Sequence, residues 1–156
     1  MATTTDPAGT EPPGTEPAGT EPAAGAKLRP APVLTADTEF FWRGAAEGKL
    51  LCHECAHCGK LQHPPTPLCP SCHANEWNLI ELSGRGTVAS FIIIHHPPNP
   101  WFELPMVAGT IDLEEGVQVI SNICDTDPHD VRLGMPVEVF FAATEDGLAV
   151  PLFRPA

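Results

Sequence analysis

Apolar and polar positions change rhythm several times along this chain of 156 residues. Residues 6–25 hold no large apolar side chain and repeat a five-residue unit of the type Glu16-Pro17-Ala18-Gly19-Thr20. Proline blocks helix and sheet there, glycine adds backbone freedom, and nothing is available to bury, so 1–33 reads as a disordered Pro/Gly/Glu-rich linker. Over 34–48 the spacing turns helical, with Thr35 or Asp37 to start the helix and Gly48 to stop it. From residue 77 onward short apolar runs alternate with turn residues. Strands are expected over 86–95, 106–113, 117–122, 136–142 and 149–153, after an opening strand over 77–83. Turns fall at Ser83-Gly84-Arg85, Glu114-Glu115-Gly116 and Glu145-Asp146-Gly147, and residues 127–131 can form one helical turn before the fourth of those five strands. Five or six short strands with that single turn suggest a small Greek-key barrel of the OB type over 81–156, with a sandwich as the alternative.

Between the helix and the strands lies a different kind of segment. Cys55-Ala56-His57-Cys58-Gly59 and Cys69-Pro70-Ser71-Cys72 are two Cys-x-x-Cys pairs ten residues apart. Each pair can form a tight knuckle with both sulfurs aimed at one centre. Two facing knuckles give the four-thiolate tetrahedron that Zn²⁺ accepts in structural sites. Gly59 suits the turn because glycine adopts positive φ without steric cost. Four thiolates fill the coordination sphere and leave no position for water or substrate, so the site reads as structural and not catalytic. Paired disulfides would need an oxidising compartment, and Met1-Ala2-Thr3-Thr4-Thr5-Asp6 is no signal peptide. A redox Cys-x-x-Cys would need one pair beside a βαβ pattern. Residues 49–80 are therefore read as a zinc ribbon whose first strand covers 49–53. Cys52 offers a second register, since Cys52-His53-Glu54-Cys55 is also a Cys-x-x-Cys. The ligand set preferred is Cys55, Cys58, Cys69 and Cys72, with Cys52 packed on the preceding strand and Cys124 a buried apolar residue.

Charge narrows the partners. Eight basic residues face twenty acidic ones, a formal net charge of −12. From Thr87 on, only Arg132 and Arg154 are basic. A phosphate-binding surface needs clustered Lys and Arg, so nucleic acid is an improbable partner. No apolar run approaches a membrane span, and the expected compartment is the cytoplasm.

The remaining motifs carry less chemistry. Phe40, Phe41 and Trp42 are consecutive and cannot all face one core. They either pack onto the ribbon or anchor a partner. His95 and His96 open a proline-rich loop over 95–105. Strand neighbours point to opposite faces, and no Ser, Cys or carboxylate nearby completes a dyad, so no catalytic residue is assigned. The acidic turns at 112–115 and 125–127 read as solvated.

Taken together, the aromatic helix, Cys55-x-x-Cys58-Gly59, Pro64-Pro65, Cys69-Pro70-x-Cys72, Gly84-Arg85-Gly86-Thr87-Val88, Leu113-Glu114-Glu115-Gly116-Val117 and Leu133-Gly134-Met135-Pro136-Val137 resemble a known family. This is the rubredoxin-like zinc ribbon followed by an OB barrel, long catalogued as a domain of unknown function. Its members accompany thiolase-like enzymes and acyl-CoA metabolism. The resemblance covers nearly everything from Leu34 onward. Two departures are the additional Cys52 and a threonine at position 66, where the family commonly carries a basic residue.

The resemblance implies a role. Such a domain follows a hot-dog-fold hydratase domain in steroid side-chain degradation and binds a thiolase-like, lipid-transfer-type aldolase. The aldolase performs retro-aldol cleavage of a β-hydroxyacyl-CoA. The chain would then be a non-catalytic accessory subunit, docking through its ribbon and helix. Acyl-CoA would be a ligand of the complex, and the Pro/Gly/Glu repeat would be the linker from the hydratase domain. The other readings are a nucleic-acid-binding ribbon/OB protein and a stand-alone acyl-CoA-processing enzyme.

Overall fold

A computed structural model describes residues 28–98 and 101–156. The repeat at 6–25 lies outside the described residues, as do Asn99 and Pro100 of the proline-rich loop. The described chain is mainly β: one helix, a small three-stranded sheet, and a closed five-stranded barrel.

The helix α1 covers Glu39–Ala46, shorter than the 34–48 expected. Residues 35–38 are diverted into a turn. The Thr35 carbonyl accepts the amides of Thr38 and Glu39 at 3.1 and 2.9 Å, and the two threonine hydroxyls bond each other at 2.9 Å. Thr38 is the N-cap, and its side chain makes no cap hydrogen bond, so neither Thr35 nor Asp37 starts the helix. At the other end Gly48 sits at φ +75°, where glycine ends helices at least cost. The buried face of α1 is Phe41, Gly44 and Ala45, one helical turn of small and aromatic residues.

Strands β1 (Leu50–Cys55), β2 (Leu61–Gln62) and β3 (Trp77–Leu82) form the ribbon sheet in the order β2-β1-β3. The strand expected to open the barrel region is thus a ribbon strand. All six residues of β3 pair antiparallel with β1, from Leu50↔Leu82 to Cys55↔Trp77. Its apolar residues do not bury in the alternating way of a barrel strand: Leu82 at its end is inside, while Leu79 in its middle is exposed.

The barrel is built from β4 (Arg85–Ile94), β5 (Met106–Leu113), β6 (Gln118–Ile123), β7 (Pro136–Ala143) and β8 (Ala149–Pro155), closed in the order β4-β5-β6-β8-β7. Strand β5 shows why this sequence makes a half-buried strand. Val107, Gly109, Ile111 and Leu113 are buried, and every intervening residue faces outward. A 3₁₀ turn at Pro128–Asp130 precedes β7, held by the Asp127 carboxylate accepting the His129 amide at 2.8 Å. The order, closure and placement of this turn are those of an OB barrel.

One apolar core runs through both parts. Ile111 and Phe153 are fully buried at its centre, with Val88, Val107 and Val137 around them. Phe41, Leu50, Cys52 and Leu82 extend the same cluster into the helix and ribbon. Helix α1 therefore packs on β1 and on the outside of β7 and β8, and bridges the two sheets.

Candidate metal centre and an adjoining apolar groove

The first knuckle begins at the last residue of β1. The Cys55 amide donates to the Lys60 carbonyl and the Gly59 amide to the Cys55 carbonyl, both at 2.9 Å. In the second knuckle the Cys69 amide donates to Ala74 at 2.8 Å and the His73 amide to Cys69 at 2.9 Å. The residue after each second cysteine adopts positive φ: Gly59 at +70° and His73 at +61°. Gly59 was legible in the sequence. His73 holds the matching place in the second knuckle, and only the symmetry of the two motifs could have pointed to it.

These turns bring four sulfurs together. The Cys55 and Cys72 Sγ atoms are 3.5 Å apart, and the Cys58 and Cys69 Sγ atoms 3.6 Å. All four lie within 4.8 Å of one another. The distances are far longer than a disulfide bond of about 2.05 Å. They are close to the edge of a tetrahedron with metal–sulfur bonds of about 2.3 Å. Cys55 and Cys69 are buried while Cys58 and Cys72 face solvent, so the cluster sits at the tip of the ribbon with one open side.

The donor set asks for a cation. The amide of Cys72, helped by that of Ser71 and the neighbouring thiols, lowers the Cys69 thiol to about 6 against the cost of burial. The Ala74 amide pulls the Cys72 thiol down, but the thiols of Cys55, Cys58 and Cys69 and burial together raise it to about 12. Four thiols this close cannot all ionise without a positive centre among them, which a divalent metal would supply. The residues present therefore fit a four-thiolate ion.

Cys52 is not in this group. It is buried on β1, its Sγ donates to the Gln62 carbonyl at 3.4 Å, and burial pushes its thiol up. Cys124 is half-buried rather than a core residue. Its sulfur lies 3.9 Å from Arg29 Nη2, and burial raises its thiol although Arg29 opposes this. The histidines near the ribbon go elsewhere: His57 pairs with Glu76 at 3.3 Å on the surface. His95 and His96 are exposed just beyond β4.

The three adjacent aromatics separate as their spacing requires. Phe41 is buried in the shared core, 6 % exposed, and lines the floor of the groove described below. Phe40 stacks on His53 at 4.2 Å, and His53 stacks in turn on Trp77 at 4.9 Å, so Phe40 ties the helix to the ribbon. Burial keeps the His53 ring below its ordinary pKa, with Asp37 partly offsetting the effect. Trp42 is half-buried and lines a groove.

That groove is a cavity of about 660 Å³ between α1, the loop at 63–65, residues 29–33 and the barrel strands β6 and β8. Residue 29 is already part of the fold. Its amide donates to the Ala143 carbonyl at 3.4 Å and its carbonyl accepts from Glu145 at 3.3 Å. The Arg29 side chain donates to Asn122 Oδ1 at 3.2 Å and lies over the Phe102 ring at 5.0 Å. His63 lines the opposite side, 5.1 Å from Phe41, and burial lowers its pKa.

The family model for the ChsH2 rubredoxin-like zinc ribbon domain matches residues 42–77, and that for the ChsH2 C-terminal OB-fold domain matches residues 79–142. A "Probable enoyl-CoA hydratase alpha subunit" of Thermomonospora curvata is 39 % identical over 129 residues, which is 83 % of this chain and 40 % of that protein. The "3-oxo-4,17-pregnadiene-20-carboxyl-CoA hydratase alpha subunit" of Mycobacterium tuberculosis is 37 % identical over 74 % of this chain and 36 % of its own length. The chain thus spans about two fifths of the length of these relatives. A solved chain of the "Ltp2-ChsH2(DUF35) aldolase" superposes with a TM-score of 0.76 and 37 % identity over 80 % of this chain and 98 % of that one. With a ribbon and a barrel that each match the ChsH2 type, in that order, this chain belongs to the DUF35 family.

Proposed function

We propose that this chain is a non-catalytic accessory subunit of an acyl-CoA aldolase complex, one that docks on and supports a thiolase-like aldolase. The observation that carries this reading is the superposition on a chain of the Ltp2-ChsH2(DUF35) aldolase over 98 % of that chain's length. The substrate would be a β-hydroxyacyl-CoA from steroid side-chain breakdown, a reading supported by the pregnadiene-carboxyl-CoA relative. In this reading the Pro/Gly/Glu repeat joins the chain to a hydratase domain, as the hydratase names and greater lengths of the relatives suggest. The chain works in the cytoplasm; no helix among the described residues is long and apolar enough to cross a membrane.

The metal is Zn²⁺, held by Cys55, Cys58, Cys69 and Cys72 and structural in role, because four sulfur donors close its coordination sphere. When bound it supplies charge compensation and cross-links the two knuckles. The aldolase supplies the reacting groups. Acyl-CoA is then a ligand of the assembled complex.

The test is to produce the chain with and without a thiolase-like aldolase encoded beside it. A co-eluting complex, with retro-aldol cleavage found only when both chains are present, is the expected result. An aldolase that is soluble and fully active alone, with no complex on a sizing column, would overturn the proposal. So would turnover by this chain on its own.

A further inference from the structure

The groove beside α1 has three properties that together say what fills it. First, it leaves apolar side chains in water. Val33 is 83 % exposed and Ile120 80 % exposed, and both line it with Trp42. Second, its floor is an incomplete seam of the barrel. Strands β6 and β8 run parallel and pair at Ile123↔Phe153, next to a 2.7 Å bond from the Cys124 amide to the Phe153 carbonyl. Among the described residues the ladder does not continue to 119–122 and 150–152, and those are the residues that line the groove. Ser121 Oγ donates to the Pro151 carbonyl at 2.7 Å, as a side chain standing in for one missing rung. Third, the charge is inverted relative to the rest of the molecule. The chain carries twenty acidic residues, yet among the described residues no acidic one lines the groove, whose charged lining residue is Arg29. Arg43, Arg85 and Arg154 each pair with a glutamate, whereas Arg29 is held by the neutral Asn122 and the Phe102 ring.

We infer that the groove between α1 and the β6/β8 seam seats an extended apolar segment of the partner subunit, with a carboxylate on that segment placed against Arg29. A concave apolar surface lying over such a seam accepts an extended chain laid across it, because alternate side chains of that chain can enter the concavity. Exposed isoleucine and valine beside a half-buried tryptophan around one concave surface provide the anchoring contacts. A guanidinium with open donors recognises a carboxylate in paired geometry and would repel a basic segment. The inference rests on the proposed aldolase partnership and gives that partnership a surface. The contact therefore involves Trp42, the edge of Phe41 that lines the groove and the barrel seam, and not Phe40.

The experiment uses the full chain and a thiolase-like aldolase encoded beside it. Ile120→Asp and Val33→Asp change exposed side chains, so the fold is retained, as melting temperature and zinc content would check. Each should weaken binding of the aldolase at least tenfold by titration calorimetry, and Arg29→Glu should do the same. Ile92→Asp, on β4 outside the groove and 63 % exposed, should change binding less than twofold. A photo-reactive amino acid at position 120 should cross-link to one contiguous stretch of the aldolase containing Asp or Glu. If the unmodified chain binds and all groove variants bind equally well, the groove assignment fails while the partnership stands. If the unmodified chain does not bind the aldolase, both fail. Cross-links from position 120 to a second copy of this chain would also overturn the assignment.

Discussion

The Ser83 amide donates to Glu115 Oε1 at 2.6 Å, and this bond fastens the link between ribbon and barrel. Ser83 follows the last residue of β3, and Glu115 lies in the turn between β5 and β6. Beside it, Arg85 makes a 2.9 Å ion pair with Glu114. The acidic turn read as simply solvated is therefore a clamp on the interdomain connection.

The Glu115 clamp gives a pH dependence with a definite sign. Burial alone would raise the Glu115 pKa, but the Ser83 amide and hydroxyl, together with Arg85, lower it below the ordinary 4.5. A carboxyl whose folded pKa is depressed stabilises the protein above its unfolded value. That stability is lost as pH falls from about 4.5 through the lower folded value. Glu115→Ala should cost about 1.5–3 kcal/mol at pH 7, the range for a hydrogen bond to a charged group. Glu115→Gln should cost less and flatten the acid limb. Urea titrations at pH 7 and pH 4 would check both, and an unchanged midpoint in Glu115→Ala would show the clamp to be dispensable.

The cysteine register can be decided by metal content. The chain should carry one zinc, and Cys55→Ser, Cys58→Ser, Cys69→Ser or Cys72→Ser should each lose it along with the folded ribbon. Metal binding contributes about 10–16 kcal/mol in small zinc modules, which a ribbon of three short strands cannot replace. Cys52→Ala should retain zinc, because the Cys52 sulfur bonds the Gln62 carbonyl instead of joining the four-sulfur group. Elemental analysis of the purified variants reads this directly. Full zinc in Cys55→Ser would assign the site to Cys52.

What could be read from the sequence was what local spacing dictates. Two Cys-x-x-Cys pairs with Gly59 behind the first specify the knuckles, and the alternation over Met106–Leu113 specifies a half-buried strand. What could not be read depends on distant partners. Nothing in Trp77–Leu82 says that its neighbour is β1 and not a barrel strand. The fates of Phe40, Phe41 and Trp42 are set by what α1 lies on, namely His53, the core and the groove. Arg29 sits at the end of a proline-rich tail by sequence, yet its bridge to Thr144 joins positions more than a hundred residues apart. The groove is made from segments far apart in the chain and has no signature in any of them.

His63 sets a second pH limit, of the opposite chemical type. Burial against Phe41 depresses its pKa below the usual 6.5, so the folded protein holds the ring neutral. Below about pH 6.5 the unfolded chain takes up a proton that the folded chain refuses. Stability is therefore lost as pH falls from the ordinary histidine value toward the lower folded one. The melting temperature should drop between pH 7.5 and pH 5.5. The drop should be smaller in His63→Gln, with zinc content measured at both pH values so that metal loss is separated from histidine protonation. An equal drop in both proteins would show that His63 does not contribute.

The turn that carries the chain from ribbon to barrel admits little besides glycine at position 84. Gly84 has φ +72°, a conformation that L side chains adopt only with strain. An added Cβ would also run into the Val139 side chain on β7, while the Gly84 carbonyl accepts the Val139 amide at 2.8 Å. Backbone strain of about 1–2 kcal/mol and a steric clash thus act at one position where β7 approaches the turn. Gly84→Ala should lower stability by about 2–4 kcal/mol, the strain plus the cost of displacing a packed valine. Gly116→Ala separates the two effects. Gly116 has φ +80° but open space around its added Cβ, so it should lose only the strain, about 1–2 kcal/mol. Equal losses in the two variants, measured by thermal melts at matched zinc content, would mean that Val139 moves aside freely and that the turn is not held against β7 by packing.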